Sequence, residues 1–472
     1  MKPRRAATAG CLALGTMPLL GLCAQTTQPA ESPQQQLLDE VKALRAEVAE
    51  LKAKQETQSA PAATTQPQPA AAATDATIER AGRDADGHTR FMDMEGLTAG
   101  YVRNQGFIIR SDDGNFLLHP WAYIQVRNAT NYREKATATT SDTENGFELS
   151  RMKFILDGNV ISPDLTYQMV WATSDTTGNL GLQDAWVRYH IPNTPFAVRG
   201  GQIRDPFDHE QIIFGTRTLT PERSIVNNIL AAGEGIVKGA SVAYGYDTNS
   251  PVRTEIAFTS GERNFDTTFQ GFPTNPASWG AAGRVEWKLM GDWQAYNQFT
   301  ALDIKHPLLV LGAGVDYTEA GDTGALLHVV DAQFDAACGL SLYCAYLGDY
   351  TRHNGGAPGT NGGFTGPGPF ADTYDSSLRV LAGWVIDRHW EPFVRYEYLH
   401  FDSRQLPATA AHTIIQDVTL GFNYYFYGQR AKFSAAASYL PNGSPISSSL
   451  NDLLPSHGGN EVIVQVQFQL IL

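Results

Sequence analysis

EVIVQVQFQLIL, residues 461–472, is the stretch on which the fold turns. Val462, Val464, Val466, Phe468, Leu470 and Leu472 take every second place, and Gln465, Gln467 and Gln469 fill gaps between them. A period of two makes this a β-strand with one apolar face and one largely amide face. In a soluble sheet the apolar face meets a core. In a membrane barrel it meets lipid, and the amides meet the lumen. Twelve residues leave both open, so the rest of the chain has to choose.

Of the 472 residues, 18% are charged and 42% hydrophobic, with a mean hydropathy of -0.26. Lipid-facing barrel strands average to near neutral, so that value does not exclude a membrane protein. Past the N-terminus no run approaches the roughly 20 apolar residues of a spanning helix, and any crossing is made by strands. Residues 1–24 read as an export signal: Lys2, Arg4 and Arg5, an apolar segment over 9–22, and the small Ala24 before Gln25. Its removal takes three positive charges and moves the formal net charge from -14 to about -17. So acidic an exported chain is no partner for nucleic acid. Cys338 and Cys344 remain. On one continuous strand they stand roughly 20 Å apart, too far to bridge, and read as small packing residues.

Residues 25–56 carry Leu37, Val41, Leu44, Val48 and Leu51 at alternating spacings of four and three, the seam of a coiled-coil helix. Residues 57–95, rich in Ala, Pro, Thr and Gln, read as a flexible linker. From 96 onwards the texture is alternation broken by turns. Met152, Phe154 and Leu156 alternate with Arg151, Lys153 and Ile155, and Val418, Leu420, Phe422, Tyr424 and Phe426 do the same farther on. Short turns such as 162–164 and 427–429 contrast with long polar connections such as 351–375. That asymmetry predicts an all-β fold over 96–472, a closed antiparallel transmembrane β-barrel of 16 strands, with 18 as the fallback. Strand directions counted from the two ends disagree between 291 and 340, where a seventeenth candidate strand intrudes.

The segment GGQIRDPFDHEQIIFGTRTLTPERSI, residues 200–225, lies between two strand patterns. Its Gly201, Gln202, Arg204, Pro206, Phe207 and Glu210, followed by Glu222-Arg223-Ser224, resemble the phosphate-selective porin O and P family. Ser150-Arg151 with Gly158, Asp184-Ala185-Trp186, Arg395-Tyr396-Glu397-Tyr398 and Gly421 to Tyr425 follow in the family's order. The resemblance implies an outer-membrane porin for small hydrophilic solutes and anions such as phosphate, a homotrimer, and a loop at about 205–230 folded inward to narrow the pore. The chain departs from the family's pattern in having no lysine over 205–230 and in carrying Leu472 where an aromatic residue is usual.

On this reading Arg204, Asp208, Glu210, Arg217, Glu222 and Arg223 form the pore constriction. Arg127, Arg151, Lys153, Asp184, Arg188, Arg395 and Glu397 fall opposite the apolar residues of their strands and line the lumen wall. Most of the wall charges are expected to pair with one another. Near-equal numbers of acids and arginines at the constriction predict a weakly selective pore, in which Arg223→Glu moves the ion preference more than Arg352→Glu. Pro206-Phe207 reads as a rigid bend with an anchoring ring, His209 as a solvated loop residue, and Trp121, Trp171, Trp390 and Tyr427 as interfacial girdle residues. No nucleophile elbow, zincin motif or phosphate-cradling loop occurs, so neither catalysis nor a cofactor is expected, and the scattered His88, His119 and His190 make no metal site. The alternative function is a structural anchor whose periplasmic N-terminal helix reaches the cell wall.

Overall fold

The computed structural model describes residues 91–472 apart from 95, 103–105, 135–141, 175–176, 232, 247, 262–278, 321–322, 354–371, 405, 407–409, 411 and 457. The export signal, the 25–56 helix and nearly all of the 57–95 linker lie outside the described residues. Three short strands come first: β1 (Phe91–Met94), β2 (Leu97–Val102) and β3 (Gly106–Ser111). The tail assigned to the linker is thus partly a strand, with β1 paired to β2.

The long strands follow as β4 (Leu117–Arg133), β5 (Thr143–Asn159), β6 (Leu165–Thr173), β7 (Leu180–His190), β8 (Phe196–Arg204), β9 (Ile236–Tyr244), β10 (Val252–Thr259) and β11 (Trp279–Met290). The second half comprises β12 (Leu308–Ala320), β13 (Thr323–Asp335), β14 (Leu340–His353), β15 (Thr373–Trp384), β16 (Trp390–His400), β17 (Ile414–Tyr425), β18 (Ala431–Leu440) and β19 (Glu461–Ile471). Each pairs antiparallel with its neighbour in sequence, and β19 returns to β4 from Glu461↔Arg133 to Ile471↔Tyr123. The result is a closed barrel of 16 strands, with β1–β3 outside the closure. Closure removes both sheet edges.

The opening strand makes that seam. Val464, Val466 and Phe468 are exposed on the outside, while Gln465, Gln467 and Gln469 are buried inside. The same rule runs round the barrel, leaving Phe154, Val187, Ile256, Phe258, Val285, Val330, Val394 and Leu420 exposed. So continuous an apolar belt needs lipid to cover it.

Within the 291–340 interval where the strand directions disagreed, residues 291–307 form no strand. The segment joins β11 to β12 on the short-turn rim and folds inward, with Trp293, Tyr296 and Phe299 all buried. These rings recur every third residue, a spacing that a strand cannot bury on one face. Two further readings change. Cys338 sits in the turn before β14, so the two cysteines do not share a strand, and both are exposed rather than packed. Trp121 faces inward, its Nε1 donating to Asp157 at 2.7 Å, with Phe214 of the 205–235 loop 5.7 Å from its ring. Trp390 and Tyr427 are exposed on the outside.

Candidate functional site

Residues 205–235, between β8 and β9, enter the barrel with two short helices, α1 (His209–Ile212) and α2 (Ile225–Leu230). Ser224 caps α2, its Oγ accepting from the Asn227 N–H at 3.0 Å. Phe207, Leu219, Ile225, Val226 and Leu230 are buried against inward side chains of β13 to β19, among them Leu327, Leu347, Leu381, Phe393 and Ile415. Each such side chain contributes on the order of 1.5–3 kcal/mol to docking. Gly314 permits the closest approach, since a Cβ there would lie 2.2 Å from the Phe207 carbonyl oxygen. Pro206-Phe207 is the anchored bend expected of it.

The amide face of the last strand now has its use. Among the described residues between α1 and α2 the only regular turn is a 3₁₀ turn over Gly215–Arg217, and wall side chains serve several of the carbonyls there. Gln469 donates to the Thr216 carbonyl at 3.1 Å, Gln125 to Gly215 at 3.1 Å, Asn423 to Leu219 at 2.8 Å, and the Lys432 ammonium to Thr218 at 3.0 Å.

Most of the ion pairs that fix the loop come from the wall, and one, Arg223 to Glu234, lies within it. Arg379 on β15 is fully buried and holds both Asp208 and Glu210, the latter at 2.9 Å. Arg127 and Arg151 converge on Glu222. Arg395 forms an ion pair with Glu397 at 2.8 Å and donates to the Glu222 carbonyl at 3.1 Å. At the loop's root, Glu234 takes Lys153 at 2.6 Å and Arg223 at 3.1 Å. Burial pushes the Glu234 carboxyl up, but Lys153, Arg204 and Arg223 outweigh it and hold it well below the usual range. Arg204 bonds Asp184 at 3.4 Å and the Ile212 and Ile213 carbonyls. The arginines and acids expected at a constriction therefore do not oppose one another across water. Arg204, Asp208, Glu210, Glu222 and Arg223 are each matched to the wall or to the loop itself.

Arg217 is the exception. It is exposed, and among the described residues its guanidinium makes no ion pair or hydrogen bond. Arg223, at 1% exposure, is a structural residue, which overturns its expected part in ion preference. His209 is not solvated. Its ring stacks on Tyr296 at 3.7 Å, and Nε2 lies 3.1 Å from Gln333 Oε1.

Two more segments enter the lumen. The 291–307 turn reaches the loop from the short-turn rim, where the Phe299 N–H donates to the Arg217 carbonyl at 3.2 Å. From the other rim, 441–460 descends between β18 and β19. Asn451 donates to the Arg223 carbonyl at 2.9 Å, Asp452 meets Arg127, and Leu453 joins the loop's core. Sequence reading missed both. The three-residue ring spacing was a signal for the first, whereas the second, SPISSSLNDLLPS, is locally polar and gave none.

These segments crowd against β13 to β19 and leave room on the opposite side. A cavity of about 200 Å³ remains between the loop and the β6 to β10 wall, lined by Arg188, Arg199, Arg204, Asp184, Trp186, Tyr246, Phe214 and Glu255, among others. Among the described residues no cluster of His, Cys, Asp or Glu could hold a metal ion.

No protein-family model and no curated protein matches the chain. Among solved structures, an anion-selective porin from Comamonas acidovorans aligns over 75% of this chain and 99% of its own, at 12% identity and a TM-score of 0.50. OmpT of Vibrio cholerae aligns over 77% and 100%, at 11% identity and a TM-score of 0.47. The channel DcaP of Acinetobacter baumannii aligns over 76% and 99%, at 13% identity and a TM-score of 0.45. The first of these likenesses shows the fold: this chain has the 16-stranded porin architecture.

Proposed function

We propose that the protein is an outer-membrane porin through which small hydrophilic solutes and ions diffuse passively, with a weak lean towards anions. The observation that carries this is a closed barrel with an apolar belt outside and a loop docked against one half of its wall, leaving a cavity on the other half. The cavity lining has three arginines, Arg188, Arg199 and Arg204, against Asp184 and Glu255. So small an excess favours anions without the several kT that strong selectivity needs. Phosphate is one candidate solute, on the resemblance of 200–225 to the phosphate-selective family. Purified protein in a planar bilayer is expected to give stepwise conductance, with a reversal potential displaced modestly towards the anion in a salt gradient. Folded protein that never conducts would end this reading.

Self-association into a homotrimer belongs to the same proposal. On the outer face of β4 and β5, Asn145 donates to Thr130 at 2.6 Å and Asn128 to the Gly146 carbonyl at 3.0 Å. Polar side chains satisfying one another below an aromatic such as Tyr132 suit a protein neighbour better than lipid. Cross-linking in mild detergent is expected to give trimers, and monomers alone would remove the claim.

A further inference from the structure

We infer that the turn at 291–307 is a strap that positions the inward loop from the short-turn rim, with Arg284, Tyr296 and Phe299 as the joining residues. This rests on reading the barrel as a diffusion channel, and it names what holds the proposed constriction in place. Elsewhere at this rim 336–339 or 385–389 suffice to reverse the chain, so most of 291–307 is surplus to closing the barrel. That surplus is tied down along its length. Trp293 Nε1 donates to the Ser250 carbonyl at 2.8 Å, Gln333 to the Gln298 carbonyl at 2.7 Å, and Thr300 to Glu391 at 2.5 Å. These bonds anchor the segment in turn to the connection before β10, to β13 and to β16. A 3₁₀ turn over Ala295–Asn297 carries Tyr296, the residue whose ring stacks on His209.

Arg284 on β11 joins strap, loop and wall. Its buried guanidinium makes two parallel bonds to Asp331, at 2.8 and 2.9 Å, and a third to Glu286 at 2.7 Å. It also donates to the Phe207 carbonyl of the loop at 3.1 Å and to the Tyr296 hydroxyl of the strap at 2.9 Å. All five of its N–H donors are thereby engaged, so it holds structure and has none left for a solute. Gly312 on β12 makes the room, since a Cβ there would lie 2.2 Å from that guanidinium. The loop divides its holds accordingly. Asp208 and Glu210 go to Arg379 on the wall, whereas the Phe207 carbonyl and the His209 ring go to Arg284 and the strap. Phe299 adds its ring to the loop's apolar cluster and its N–H to the Arg217 carbonyl at 3.2 Å. That bond fixes the backbone of the one loop cation that faces water. The strap's tip contributes little by comparison, because Asp303 and Arg388 lie 3.6 Å apart and both are largely exposed.

The test reads the loop itself. In the whole protein, with every native cysteine replaced by serine, a nitroxide on Arg217→Cys reports the loop's motion by EPR in detergent, with no need for conduction. Phe299→Ala removes the ring and is expected to enlarge the mobile fraction of the label about tenfold or more. Tyr296→Phe removes only the hydroxyl that Arg284 serves and should enlarge it about threefold. Because it keeps the shape of the ring, Tyr296→Phe remains the test if Phe299→Ala does not fold. Ser241→Ala deletes a buried wall hydroxyl, bonded to Glu255 and touching neither loop nor strap, and should leave the label as in the parent. In planar bilayers, openings to a larger conductance should become more frequent by the same factors. A label as still in both strap variants as in the parent overturns the inference. So does a label freed equally by Ser241→Ala, which would mean general loosening of the barrel. A label freed only by the strap variants, in protein that never conducts, sinks the channel reading and keeps the strap. Conduction with a label indifferent to the strap does the reverse.

Discussion

The two halves of the barrel's inner wall use the same alternation for opposite ends. Along β13 to β19 the inward places hold Leu327, Leu347, Phe393 and Ile415, with Arg379 and Arg395 buried among them. Along β7 to β10 they hold Arg188, Arg199 and Glu255, which border the cavity. On the first half an arginine is a clamp, closed on loop carboxylates and shut off from water. On the second it forms the edge of an open space. A period of two tells which side chains turn inward. Whether the inside is water or protein depends on what packs there, and an apolar inward residue is the mark of protein.

The sharpest way to break this contrast is to open the clamp. Arg379→Ala leaves Asp208 and Glu210 buried without their cation, a loss on the order of 3–5 kcal/mol. The loop is then expected to undock while the barrel, closed by its own ladder, survives. Single-channel conductance should rise severalfold and become noisy. Unchanged conductance would mean that the apolar contacts hold the loop alone and that the two halves differ less than their charges suggest.

A smaller effect is expected at Arg217, the loop cation that faces water. Arg217→Glu reverses one charge at the proposed constriction without disturbing a pair, and should move the reversal potential towards cations by several millivolts, on the order of a fraction of kT. Arg352→Glu is the comparison. Arg352 lies at the end of β14, 3.5 Å from Glu319 and 43% exposed, where screening leaves little field at the axis. If the two substitutions move the potential equally, the constriction lies elsewhere. Arg223→Glu is no longer the informative change, because it buries a carboxylate beside Glu234 and unseats the loop.

The closed barrel was legible because each strand repeats one message: outward residues must be apolar, and one face of 461–472 already says so. The inward loop was legible through its likeness to a family and its Pro206-Phe207 bend. What could not be read was the partnership of its charges. Arg379 meets Asp208 across 171 residues of sequence, and nothing local to either predicts it. The same holds for 441–460, whose Asn451 and Asp452 acquire meaning only against Arg223 and Arg127. His209 was misjudged for a related reason: its ring partners, Tyr296 and Phe299, lie within the interval whose strands did not count out.

That histidine gives the smallest effect and the finest test of the packed half. His209 lies on the loop, off the spanning strands, and stacks on Tyr296 with its edge to Phe299. Burial first, then Arg284 and Arg379, bring its pKa from 6.5 down to about 3, with Asp331 and the Gln333 hydrogen bond pulling the other way. The ring is therefore neutral when the loop is docked. In an undocked loop it regains the ordinary value of 6.5 and takes up a proton. The undocked state binds more protons between those values, so docking is strongest above pH 6.5 and weakens as pH falls towards 3. One such group changes the docking equilibrium by up to about tenfold per pH unit. Glu222 and Glu234, both held below their ordinary 4.5, act in the same direction only in stronger acid. Asp208, pushed above its ordinary 3.8 chiefly by burial, acts the other way, so the histidine's share is read by comparing the parent with a His209 variant from pH 6.5 to 5. Brief openings to a larger conductance should grow more frequent across that interval, and His209→Phe, which keeps the ring contacts, should flatten the profile. A variant that follows the parent through the same interval would show that the packed half owes its acid response to some other group.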